Sequence, residues 1–131
     1  MYLKKLGCII FARSNSKRLK KKIFKEIESL PLILVVYLRT KKVFPKKKIV
    51  IATSKNKSDD QLVKICKKNK INYFRGNLNN VYDRSVQCCK KFKFDSFMRV
   101  CSDRPFFYYE LALKMKKTFE KGNFDIVTNV F

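Results

Sequence analysis

Residues 13–22 read Arg-Ser-Asn-Ser-Lys-Arg-Leu-Lys-Lys-Lys, six cations without a carboxylate, directly after an apolar run. Arginine grips phosphate oxygens in a two-pronged fork, lysine adds a mobile point charge, and loop N–H groups supply further donors. The glycines of a P-loop or of a dinucleotide fingerprint are absent. By themselves these residues admit two readings, a phosphate-binding loop or a solvated basic loop. Cys101-Ser102-Asp103-Arg104-Pro105 places a carboxylate after a later apolar run. An Asp there can hold Mg²⁺, which prefers carboxylate and phosphate oxygens, or can cap a turn before proline. Arg75-Gly76-Asn77 suggests a tight turn beside a ligand or a neighbouring loop. Asp83 and Arg84 can line a pocket or form an ordinary ion pair. The chain has no histidine. Ser-His-Asp and Cys-His catalysis and His-ligated zinc are therefore excluded within it.

Such loops need a frame, and the apolar pattern supplies one. Residues 6–12 are a continuous apolar run of strand length, 48–53 and 96–101 repeat the pattern, and 72–74 and 125–129 are shorter candidates. Helical spacing separates them. Pro31 opens a helix expected to reach about Val43, with Pro45 stopping it. Ser58, Asp59 and Asp60 are expected to cap a second helix carrying Leu62, Ile65 and Cys66 on one face. A third spans residues 79–92, and a fourth carries Leu111, Met115 and Phe119 and closes at Gly122. The order β-α-β-α-β-α-β-α-β predicts an α/β fold, a three-layer α/β/α sandwich around a mainly parallel, doubly wound sheet. Ligands of such sheets bind at the carboxyl ends of the strands. Here those ends lead into loops at 13–22, 53–58 and 102–106.

The 131 residues suit a single domain with one core. A 46% apolar content suits a folded protein in spite of a net charge of +22, from 32 Lys and Arg against 10 Asp and Glu. That charge fits a polyanionic partner, whether nucleic acid, an anionic membrane surface or a phosphorylated small molecule. Lysine is scattered through every segment, which fits a compositional bias equally well. The longest apolar run, residues 30–38, is about half the roughly 20 residues a membrane span requires. No small-residue cleavage site follows the first apolar run. The five cysteines lack a C-x-x-C spacing and sit mostly among apolar residues, as buried reduced thiols of a cytoplasmic protein would.

In order along the chain, IIFARSNSKRLKKK, IVIATSKNKSDD, YFRGNLNNVYDR, RVCSDRP and FDIVTN resemble the motifs of the cytidylyltransferases that make CMP-activated sugars. The resemblance is to the spore coat polysaccharide biosynthesis protein F branch, alongside the acylneuraminate and 3-deoxy-manno-octulosonate cytidylyltransferases. It implies a nucleotide-diphospho-sugar transferase fold and an enzyme that transfers CMP from CTP to a sugar or sugar acid, releasing pyrophosphate, with Mg²⁺ as cofactor. It implies catalytic roles for Arg13, Lys22 and Asp103, with Asp103 on the metal. Nucleotide binding falls to Ala12, Arg13, Ser14, Asn15, Ser16, Arg18 and Lys22 around the phosphates, and to Ala52, Thr53 and Ser54 at the base and ribose. Arg75, Asp83 and Arg84 would shape the pocket.

This chain departs from the family at several points. Asn15-Ser16-Lys17 replaces Gly-Ser-Thr, Lys20-Lys21 replaces Pro-Gly, and Tyr108-Tyr109 replaces Asp-Pro. Residues 1–131 correspond to the nucleotide-binding domain, without the C-terminal sugar-binding part that family members carry. The expected partners are CTP and the acceptor sugar, with a second copy or a complementing C-terminal fragment beside them. The alternatives are a non-catalytic remnant or subunit of such an enzyme and a basic nucleic-acid-binding protein.

Overall fold

The computed structural model describes residues 5–14 and 21–129. The elements are β1 (Leu6–Phe11), the two-residue strands β2 (Glu26–Ile27) and β3 (Leu30–Pro31), and α1 (Leu32–Thr40). They continue with β4 (Ile49–Ser54), α2 (Asp60–Lys68), β5 (Tyr73–Gly76), α3 (Val81–Phe92), β6 (Ser96–Cys101) and α4 (Tyr109–Lys121). The main sheet has the order β5-β4-β1-β6, and each neighbouring pair is parallel. Central β1 and β4 carry the uninterrupted apolar runs because both of their faces are covered.

Side chains alternate across β1. Cys8 and Ile10 join the larger core with Ile33 and Val36 of α1, Leu62 and Cys66 of α2, and Ala112 of α4. Ile9 points the other way, to Val50, Ala52, Cys88 of α3 and Phe94. Helices thus cover both faces, giving the expected α/β/α layering. Gly7 belongs to this second face: a Cβ there would lie 2.3 Å from the Phe94 ring.

Three expectations need correction. Residues 125–129 form no strand, and Ile126 is 80% exposed. A strand requires a ladder partner for its backbone, and no strand among the described residues is paired with this segment. The first long helix is shorter than its apolar pattern suggested, ending at Thr40. Pro31 stands just before that helix, paired with Glu26 in a small hairpin whose turn residues, Glu28 and Ser29, both have positive φ. The second helix is not capped as expected either. Asn56 accepts from the Ser58 N–H, and the Asp59 side chain makes no cap bond.

Gly7→Ala is expected to destabilise the protein by about 1–3 kcal/mol, the usual cost of overpacking a core. Combining it with Phe94→Leu should recover part of that loss. Urea unfolding of the two variants tests the packing.

Candidate functional site

β1 pairs with β4 on one side and with β6 on the other, so the loops that follow β1 and β6 leave neighbouring carboxyl ends of the sheet. A cleft of about 410 Å³ opens there. Ala12, Arg13, Lys22, Arg84 and Asp103 all line it, so residues distant in sequence meet as expected. Lys22 Nζ lies 3.9 Å from Asp103 Oδ2, and both side chains are substantially exposed. Asn15, Ser16 and Arg18 lie outside the described residues.

Other expected site residues have different positions. Ala52, Thr53 and Ser54 are fully buried under the end of β4, so they do not border the cleft with their side chains. The Ser14 amide, expected at a phosphate, donates instead to Asp59 Oδ1 at 2.7 Å. The Ser14 hydroxyl lies 2.7 Å from the same oxygen and also against the Ser58 carbonyl, and its single proton serves one of the two. On the other side, the Ser54 N–H reaches Asp59 Oδ2 at 3.3 Å, and the Ser54 hydroxyl also donates to that oxygen. Asp59 itself is fully buried. Burial would raise its pKa, but the hydrogen bonds from Ser14 and Ser54 outweigh it and hold the carboxyl below its ordinary value.

Arg75 lies outside the cleft. It donates to the Ser54 carbonyl, the Asn56 carbonyl and Asp60 Oδ1, each at 2.8 Å. It therefore ties the loop after β4 to β5. With Asp83 it borders a separate, open depression of about 780 Å³. Arg84 does belong to the cleft but also supports its wall. Its guanidinium donates to the carbonyls of Asn77 and Leu78, both at 2.9 Å, holding the turn before α3. A Cβ at Gly76 would lie 2.7 Å from Arg84 Cγ, so the glycine makes room for this arginine. Burial lowers the Arg84 pKa, the Asp59 charge opposes that effect, and the Arg13 charge adds to it.

Sequence reasoning missed two contributors. Arg99, two positions before Cys101 on the same face of β6, also lines the cleft, with its guanidinium 5.5 Å from the centre of the Phe11 ring. Strand alternation was the available signal. Asp59 offered none, because its neighbours read as a helix cap. Among the thiols, Cys8, Cys66 and Cys88 are buried, and burial pushes the pKa of Cys66 and Cys88 up to about 12. Cys89 and Cys101 are only partly buried.

Arg13, Lys22, Arg84 and Arg99 line one cleft together with Asp103, so cations outnumber the carboxylate there. The cytidylyltransferase family model matches residues 7–131. The chain belongs to this family. It is 33% identical over 120 residues to the uncharacterized protein MJ1063 of Methanocaldococcus jannaschii, covering 92% of this chain and 49% of that one. It is 34% identical over 120 residues to the spore coat polysaccharide biosynthesis protein SpsF of Bacillus subtilis, covering 88% and 50% respectively. A cytidylyltransferase structure from Leptospira borgpetersenii superposes with a TM-score of 0.86 at 27% identity, over 92% of this chain and 50% of that one. A CMP:2-keto-3-deoxy-manno-octonic acid synthetase complexed with CTP shares the fold, with a TM-score of 0.75 at 20% identity over 89% and 48%. This cytidylyltransferase chain thus spans about half the length of the relatives it matches. Among the described residues, no helix is long and apolar enough to cross a membrane.

Because the Asp59 pKa is depressed, its contribution to stability is present above the ordinary carboxylate value of 3.8 and is lost as pH falls through the lower folded-state value. Stability should therefore decline below about pH 4. Asp59→Asn should lower stability near neutrality and flatten this acid limb. Urea midpoints measured from pH 7 down to pH 2 check the sign.

Proposed function

We propose that this chain binds CTP in the cleft at the ends of β1 and β6 and serves the transfer of CMP to a hydroxyl of a sugar or sugar acid, releasing pyrophosphate. The observation that carries this reading is the convergence of Arg13, Lys22, Arg84 and Arg99 on one cleft with Asp103 as a nearby carboxylate. In the reaction the acceptor oxygen forms a bond to the α-phosphorus while the bond to the pyrophosphate oxygen breaks. The protein's task is alignment and neutralisation of charge developing on the phosphates. Arg13 and Lys22 flank the start and the end of the loop after β1 and would bind the triphosphate. Arg84 holds the turn that closes the opposite wall.

Among the described residues, no group of three or more His, Cys, Asp or Glu could form a protein-only metal cage. A single exposed carboxylate still fits Mg²⁺, which commonly takes one or two carboxylates together with substrate phosphates. Asp103 would hold it, and the ion would supply further neutralisation of phosphate charge. Lys22, 3.9 Å from Asp103, would then stand beside the same phosphates.

The acceptor would be met by the part of the fold that the longer relatives possess, supplied by further chain, by a second copy or by a complementing fragment. The likeness to SpsF supports a place in polysaccharide biosynthesis, and the use of CTP supports action in the cytoplasm.

Calorimetry with CTP and Mg²⁺ should show saturable binding, and the absence of heat at millimolar ligand with a folded sample would overturn the reading. Arg13→Ala and Lys22→Ala should each weaken CTP about 10- to 100-fold, the scale of a lost charge-assisted hydrogen bond, and weaken CMP less. Equal weakening of both nucleotides would overturn the triphosphate assignment.

A further inference from the structure

We propose that Asp59 is a positioning residue for the nucleotide cleft: it anchors the base of the loop from which Arg13 and Lys22 project. This inference rests on the CTP-binding reading above. β1 leaves the sheet at Ala12, whose N–H makes a last bond to the Ala52 carbonyl at 3.1 Å. Two residues later the Ser14 carbonyl accepts from the Lys21 N–H at 2.7 Å. The entry and exit of the segment are thereby joined, and Arg13 and Lys22 stand directly outside that join. The exit side is also held by Ile23, buried in the core just after Lys22, and Ser14 is the member of the pair hydrogen-bonded to Asp59. Its N–H donates to Asp59 and its hydroxyl sits between Asp59 and the Ser58 carbonyl, while the other Asp59 oxygen takes the N–H and hydroxyl of Ser54 at the end of β4. The carboxylate is thus a fixed post between the first two main strands.

Asp59 is fully buried and does not line the cleft, so it acts through Ser14 rather than on a ligand. Charge and position make opposite predictions for its removal. Its negative charge lies close enough to Arg84 to affect that group, so loss of the charge alone would favour an anionic ligand. Loss of the anchor would misplace Arg13 and Lys22 and weaken binding.

The test is Asp59→Asn, with affinities for CTP and for cytidine measured well below the unfolding temperature. Positioning requires CTP to weaken by about tenfold or more, with cytidine little changed. Arg13→Ala should then cost less in the Asp59→Asn background than in the native protein, since a misplaced arginine has less to lose. Unchanged or tighter CTP binding, parallel weakening of both ligands, or strict additivity would each overturn the proposal. If Asp59→Asn does not fold, Ser14→Ala and Ser54→Ala decide: selective loss of CTP supports it, and no loss in either overturns it. If the native protein binds no CTP, the functional reading fails separately. Hydrogen exchange without nucleotide then reads the anchor directly in Asp59→Asn, or in Ser14→Ala and Ser54→Ala if Asp59→Asn does not fold. Faster exchange of the Lys21 amide supports the proposal, and unchanged exchange overturns it.

Discussion

β1 is hydrogen-bonded along both edges, to β4 on one side and β6 on the other, and both pairings are parallel. Parallel neighbours cannot be joined by a tight turn, so each connection must travel back across the sheet, generally as a helix. The crossovers place α1 and α2 on one face and α3 on the other, and bury β1 between them. The chain leaves β1 towards β4 and returns on the far side as β6, which brings the carboxyl ends of β1 and β6 side by side. The cleft is a consequence of that topology, and the cations occupy it because they follow those strands.

Concentrating cations around one cleft is unfavourable without an anion, and the protein offsets the cost in three ways. Arg84 gives its guanidinium to two backbone carbonyls. Arg99 lies against the Phe11 ring, where the aromatic face favours a cation. Asp59 adds a negative charge beneath the site while remaining saturated with hydrogen-bond donors, so that its burial is tolerated. A cleft prepared in this way presents positive charge to a ligand at reduced reorganisation, the general basis of electrostatic preorganisation.

Much of this was legible along the chain. The uninterrupted apolar runs identified β1 and β4, which are covered on both faces, whereas β6 at the end of the described sheet alternates between exposed and part-buried positions. The position of Arg13 and Lys22 after the first run, and of Asp103 after the last, followed from where α/β sheets bind ligands. The tertiary assignments were less legible. Thr53 and Ser54 look like ligand-facing polar residues in sequence, yet they are buried. Arg75 looks like a cation of the same cleft as Arg13, yet it lies outside that cleft and ties the β4 loop and Asp60 to β5. Residues 125–129 have strand chemistry, yet no strand among the described residues is paired with them.

By itself, then, the sequence determined the layered α/β architecture, the family and the placing of Arg13, Lys22 and Asp103 after the strands that carry them. These depend on periodicity and on order along the chain, which are local properties. Only the tertiary structure decided which polar groups face the cleft and which are consumed in building it. Asp59 shows why: a carboxylate 45 residues from Ser14 in sequence becomes its hydrogen-bond partner solely through the pairing of β1 with β4. Whether a polar side chain is free for a ligand depends on who else satisfies it, and such partners are long-range.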